Sequence, residues 1–194
     1  EVDHVLALWL PAPDAGRIAE RILEQLPTDA GLALFETLVV AVGLAPLVEE
    51  WIFRGVIQQG LVARMGAQAG VLTTALLFAL GHGGPGVSAQ SWLSIVAQGF
   101  VLGVALGYVR HVTGSLLAAI ALHAGVNLLG VLALAFASEV PIPGYNHPGA
   151  HLPVAVLAAA AAAVALGAAA LRRVPPAPLR PDPLPDDEAV DRGD

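Results

Sequence analysis

The stretch Pro46-Leu47-Val48-Glu49-Glu50-Trp51-Ile52-Phe53-Arg54-Gly55 decides how this chain is read. It lies in a long apolar run, yet it carries two adjacent carboxylates and a guanidinium. At the centre of a membrane helix each such group costs roughly 2.5–3.5 kcal/mol on insertion scales, so its presence there implies a compensating use. Helical spacing sorts the three charges. Glu50 and Arg54 are four residues apart with the acid first, the favoured order for a pair on one face. Glu49 sits about 100° round the helix from Glu50 and has no partner within the segment. Glu50–Arg54 is therefore read as a structural lock and Glu49 as the working group. The alternative is one buried ion cluster that only fixes helix packing.

Composition supports a membrane setting. The chain has 194 residues, 56% of them hydrophobic and only 13% charged, about half the roughly 25% usual for soluble domains. It reads as an all-α, polytopic membrane helical bundle. Between residues 31 and 173 the only acids are Glu36, Glu49, Glu50 and Glu139. The net charge of −7 therefore belongs to the flanks, and it argues against a nucleic-acid partner. Cysteine is absent, which excludes disulfides, thiolate catalysis and cysteine-ligated metals. Every cation is arginine; with the heavy use of Ala, Gly and Val, this suggests a GC-rich prokaryotic genome. The first residues lack the basic region and clean apolar core of a signal peptide.

Outward from the charged stretch, residues 31–65 form one helical tract. At 1.5 Å per residue it runs roughly 50 Å, too long for one straight crossing of a ~30 Å hydrocarbon core. Pro46 is the expected kink, with freed carbonyls nearby to hold polar groups or water. Further helices are expected at 68–82, 89–110, 115–136 and 153–171, giving about five transmembrane helices with a polar cavity between them. Thr113-Gly114-Ser115 reads as a tight connection with a cap. Residues 1–30 form an extramembrane flank with a short amphipathic helix at Arg17–Leu26. Residues 31–173 make the membrane-embedded domain. Residues 174–194, rich in Pro and Asp, form a disordered tail. Arg64, Arg110, Arg172 and Arg173 fall on one side of the bundle, which assigns that side and the C-terminus to the cytoplasm.

Three polar motifs lie on three helices. His82 is four residues after Phe78, and Asn127 is four after His123, so each pair shares a helical face. Counted from the cytoplasmic ends, Glu49 and His82 lie roughly 24 and 21 Å deep, and His123 and Asn127 roughly 12 and 18 Å. They can converge on one buried cavity.

The set Glu49-Glu50-x-x-x-Arg54, Phe78-x-x-x-His82 and His123-x-x-x-Asn127 resembles the motifs of the CAAX-protease and bacteriocin-processing family, the Rce1/Abi-type intramembrane endopeptidases. The resemblance spans about residues 34–136 and includes the Thr113-Gly114-Ser115 approach to the last motif. Two features depart from it. Family members usually carry further spans before the first motif, and Trp51 stands where a smaller or aliphatic residue is expected.

The resemblance implies an enzyme that hydrolyses a peptide bond in a membrane-associated peptide or protein. Peptide hydrolysis needs an activated water, oxyanion stabilisation and a proton for the leaving amine. Burial disfavours an ionised carboxylate, which suits Glu49 to act as base and then acid. His82 would hold the same water, and His123 and Asn127 would donate to the oxyanion. Glu50, Arg54 and Phe78 would support them. No cofactor is favoured, but a zinc version built on Glu49, His82 and His123 remains chemically credible. Other readings are a catalytically silent binding or bacteriocin-immunity protein, and a proton- or ion-coupled transporter; the latter expects inverted repeats, and no second copy is visible. His4, His111, His147 and His151 read as solvated flank or connection residues, and Glu36 as an interfacial acid.

Overall fold

The computed structural model describes residues 30–82, 88–146, 151–171 and 173. The amphipathic helix expected at Arg17–Leu26, the turn Gly83–Gly86 and the tail 174–194 lie outside the described residues. What is described is an all-helical membrane bundle of five helices. We label them α1 (Gly31–Met65), α2 (Ala67–Gly81), α3 (Ala89–Thr113), α4 (Leu116–Ala135) and α5 (Val154–Leu171). α1, α3, α4 and α5 are long and apolar enough to cross a bilayer.

α2 has 15 residues, about 22 Å of helix, which is less than the hydrocarbon thickness. It is instead the most enclosed element, burying Gly70, Val71, Thr74, Ala75, Phe78 and Ala79. It packs along α3 and the end of α1, while α4 lies against the first half of α1. α5 touches the rest sparingly and turns apolar side chains such as Val154, Val164 and Leu166 outward. Such a surface suits acyl chains.

Local chemistry sets the helix ends. Gly66 (φ 83°) and Gly114 (φ 65°) adopt positive-φ backbones that L side chains rarely take, and each closes one helix before the next begins. Ser88 and Ser115 cap α3 and α4 by accepting from the N–H groups of Ser91 and Ala118.

α1 is not a uniform α-helix. It passes through two wider, π-helical stretches, Leu38–Leu44 and Trp51–Ile57. The first precedes Pro46, where the N–H of Ala45 reaches back five residues to the carbonyl of Val40. The expected distortion at Pro46 thus takes the form of a widened turn. The widening has a use. Pro46, Glu50, Arg54 and Gln58 are all buried, at intervals of four residues. In a straight α-helix three such steps would drift about 120° around the axis. The second π stretch, Trp51–Ile57, falls within these steps, offsets that drift and keeps the polar stripe on one face.

α3 meets α2 along Gly99, Gly103 and Gly107, one glycine every four residues. A Cβ on Gly103 would stand 3.0 Å from Ala75 Cα, and one on Gly99 3.2 Å from Ala79 Cα. Small residues let the backbones approach this closely. At the α1–α2 crossing the fit is tighter, with a Cβ on Gly70 falling 2.6 Å from the backbone nitrogen of Val62. Backbone cannot swing aside, so Gly70→Ala is expected to destabilise the bundle by about 1–3 kcal/mol, the usual range for overpacking. Gly60→Ala, which meets nothing within 4 Å, is the matched control. Thermal unfolding in detergent separates the two.

Candidate active site

The polar stripe of α1 organises the interior. Glu50 and Arg54 are fully buried and joined by a 2.8 Å ion pair. The second guanidinium nitrogen of Arg54 donates to the Gly103 carbonyl at 3.1 Å. One turn on, the Gln58 amide donates to the Gly107 carbonyl at 3.0 Å. The glycines that admit α2 therefore also expose α3 carbonyls to α1. Phe78 supplies the other surface, with the Arg54 guanidinium 4.4 Å from its ring centroid. Its ring also packs against Phe53, His82 and His123. A desolvated cation over an aromatic face is worth about 2 kcal/mol, so Phe78 helps hold the cation as well as filling space.

Glu50 has a further partner that helical spacing does not reveal. Its Oε1 also accepts from His123 Nδ1 at 2.8 Å, linking α1 to α4. The lock is thus three-membered: Arg54, Glu50 and His123, all buried.

Glu49, next in sequence, faces elsewhere. Its side chain is 31% exposed, against 0% for Glu50. It lines a cavity of about 390 Å³ together with Phe78, His82, Gln98, His123 and Asn127. Glu49 Oε2 stands 3.6 Å from His82 Nε2 and 3.9 Å from His123 Nε2. In both histidines the other ring nitrogen is engaged: Nδ1 of His82 donates to the Phe78 carbonyl at 2.7 Å, and that of His123 to Glu50. In the neutral form each imidazole therefore presents its Nε2 lone pair towards Glu49. Asn127 reaches the same cavity, and its amide nitrogen donates to the Ala41 carbonyl at 2.7 Å.

The structure therefore brings Glu49, His82, His123 and Asn127 to one cavity, with Glu50, Arg54 and Phe78 behind them. Trp51, the unexpected residue of the first motif, is on the outer face of α1, 62% exposed. Glu36, His111 and His151 are exposed. His4 and His147 lie outside the described residues. Two polar contributors escaped the sequence reading. Gln58 continues the Glu50–Arg54 spacing by one more step of four. Gln98 lines the cavity with its amide bonded to the buried Ser94 hydroxyl at 2.9 Å; a Ser and Gln four apart in an apolar span was the available signal. Among the described residues, no three His, Asp or Glu side chains are arranged to hold a metal ion.

A charged interior shared by several apolar helices places the chain among polytopic helical membrane proteins with a polar-lined cavity between their helices. More specifically, it belongs to the type II CAAX prenyl endopeptidase Rce1-like family, whose sequence profile matches residues 31–129, half of the chain. Neither a curated protein nor a solved structure gives a significant match. Membership supports a CAAX-type intramembrane protease at the level of the family.

Proposed function

We propose that the chain is an intramembrane endopeptidase in which Glu49 activates the attacking water without a metal. The observation that carries this is the meeting of acceptors around Glu49 Oε2. A carboxylate oxygen and an imidazole lone pair 3.6 Å apart are too far for a direct bond and have no proton between them. A water at hydrogen-bond distance from both would subtend about 80° at its oxygen, close enough to the H–O–H angle for each hydrogen to reach one acceptor.

In the proposed reaction that water adds to the scissile carbonyl carbon. Glu49 takes its proton, and His82 holds the second hydrogen so that a lone pair faces the carbon. The oxyanion that forms is met by the free N–H of Asn127 and by Nε2–H of His123 in its imidazolium form. Glu50, held by Arg54, stabilises that imidazolium through Nδ1. Glu49 then returns its proton to the leaving amine and the C–N bond breaks to give a carboxylic acid and an amine; the acid's remaining proton passes to the amine, leaving a carboxylate and an ammonium.

The substrate is a membrane-associated peptide or protein. Arg64 and Arg110, at the α1–α2 and α3–α4 connections, assign that side of the bundle to the cytoplasm. The test is co-expression with candidate small membrane peptides, followed by mass spectrometry of the products. Wild type should yield new termini that Glu49→Gln does not. A zinc chelator should leave cleavage by the purified protein within about twofold, whereas a catalytic zinc would make activity vanish and return on adding metal. No new termini from wild type beyond those of cells lacking the protein would support the silent binding protein.

A further inference from the structure

We infer that Pro46 is a positioning residue for the active site: by withholding a backbone donor, it leaves the Ala41 carbonyl to orient the Asn127 amide. The inference rests on the oxyanion role proposed for Asn127.

In an α-helix the Ala41 carbonyl would be served by the N–H of residue 45, and in a π-helix by that of residue 46. The N–H of Ala45 is committed to the Val40 carbonyl, and residue 46 is proline, which has none. A carbonyl facing a lipid-embedded interior needs a partner. The one it has comes from another helix, since Asn127 Nδ2 donates to Ala41 O at 2.7 Å across 86 residues of sequence. The contact settles two things. A carbonyl accepts only from N–H, so the amide cannot sit in its flipped orientation. An NH2 group is also planar, so fixing one hydrogen fixes the direction of the other, which remains for the cavity that Asn127 lines. Pro46 is itself fully buried beneath the site and touches no reacting atom.

Replacing Pro46 by a residue with an N–H supplies a donor inside α1 and frees Asn127 to rotate. Losing an oxyanion donor outright costs about 10²–10³ in kcat, and misorienting it is expected to cost about tenfold. Pro46→Ala should therefore lower kcat about tenfold with KM unchanged, because the donor acts on the transition state. Thermal stability should hold or rise, since a helix bond is gained. The decisive measurement is a double-mutant cycle. In an Asn127→Ala background, Pro46→Ala should cause no further loss, whereas a merely structural proline would lower activity by the same factor in both backgrounds and overturn the inference. Pro46→Ser repeats the cycle should the alanine variant fail to fold.

A second readout needs no turnover. Asn127→Ala should move the 13C resonance of the Ala41 carbonyl in the otherwise wild-type protein and leave it in place in Pro46→Ala. A carbonyl resonance indifferent to Asn127 in both backgrounds would overturn the inference. If Asn127→Ala cleaves normally while the carbonyl responds as expected, the oxyanion assignment fails and the orienting contact stands.

Discussion

Glu49→Gln should reduce kcat by about 10³-fold, within the 10²–10⁴ range that general acid–base catalysis supplies, with little change in KM. The substitution keeps the shape of the side chain and removes its ability to accept and return a proton. Glu49 makes no hydrogen bond shorter than 3.5 Å to either imidazole and is part-exposed to the cavity, so the melting temperature should barely move. The neighbouring substitution provides the contrast. Glu50→Gln removes the charge that both Arg54 and His123 use, and it should lower stability as well as activity. Two adjacent carboxylates would then be told apart by stability, one failing in turnover alone and the other in folding as well. Wild-type turnover by Glu49→Gln would remove Glu49 from the mechanism.

Arg54→Ala is expected to have the largest effect on stability, about 3–5 kcal/mol, the usual cost of breaking a buried pair by removing one partner. The loss has several parts. Glu50 keeps a buried negative charge with only His123 beside it, the Gly103 carbonyl loses its donor, and the Phe78 ring loses the cation over its face. Arg54→Lys should recover only part of this, because an ammonium cannot stack on the ring and serve Glu50 and Gly103 together in the planar geometry of a guanidinium. Unfolding in mixed micelles, followed by helical ellipticity, ranks the three proteins. An Arg54→Ala variant as stable as wild type would mean that the ion pair is dispensable.

Much of the scaffold was legible in the sequence, because its signals are local. The glycines at 66 and 114, the serine cap at 115 and Pro46 each act within a turn of their own position, and the helix limits follow within a few residues. The i,i+4 pairing of Glu50 with Arg54 is local too. The remaining contacts join distant segments. Nothing in the spacing around Glu50 reveals that His123 donates to it from 73 residues away, and Ala41 carries no side-chain signal of its use by Asn127. The enclosure of α2 was hidden for a different reason. In a membrane protein the lipid-facing and core-facing sides are both apolar, so Val71 inside and Leu72 outside look alike in the sequence. The glycines at 99, 103 and 107 were the marker of that contact, and they stand out once the stripe that they face is known.

The reach of the Glu50–Arg54–His123 lock also has a consequence for biogenesis. α1 emerges from the ribosome carrying its charges, but the Gly103 carbonyl and the His123 ring are made 49 and 73 residues later. At ordinary synthesis speeds the wait for His123 is roughly 4–15 s. During that interval a lone α1 in lipid would hold the Glu50–Arg54 pair without its partners on α3 and α4, and the Glu49 carboxylate beside it. The helix is therefore suited to linger at the insertion machinery until its downstream neighbours arrive, and to enter the bilayer with them as a preassembled unit.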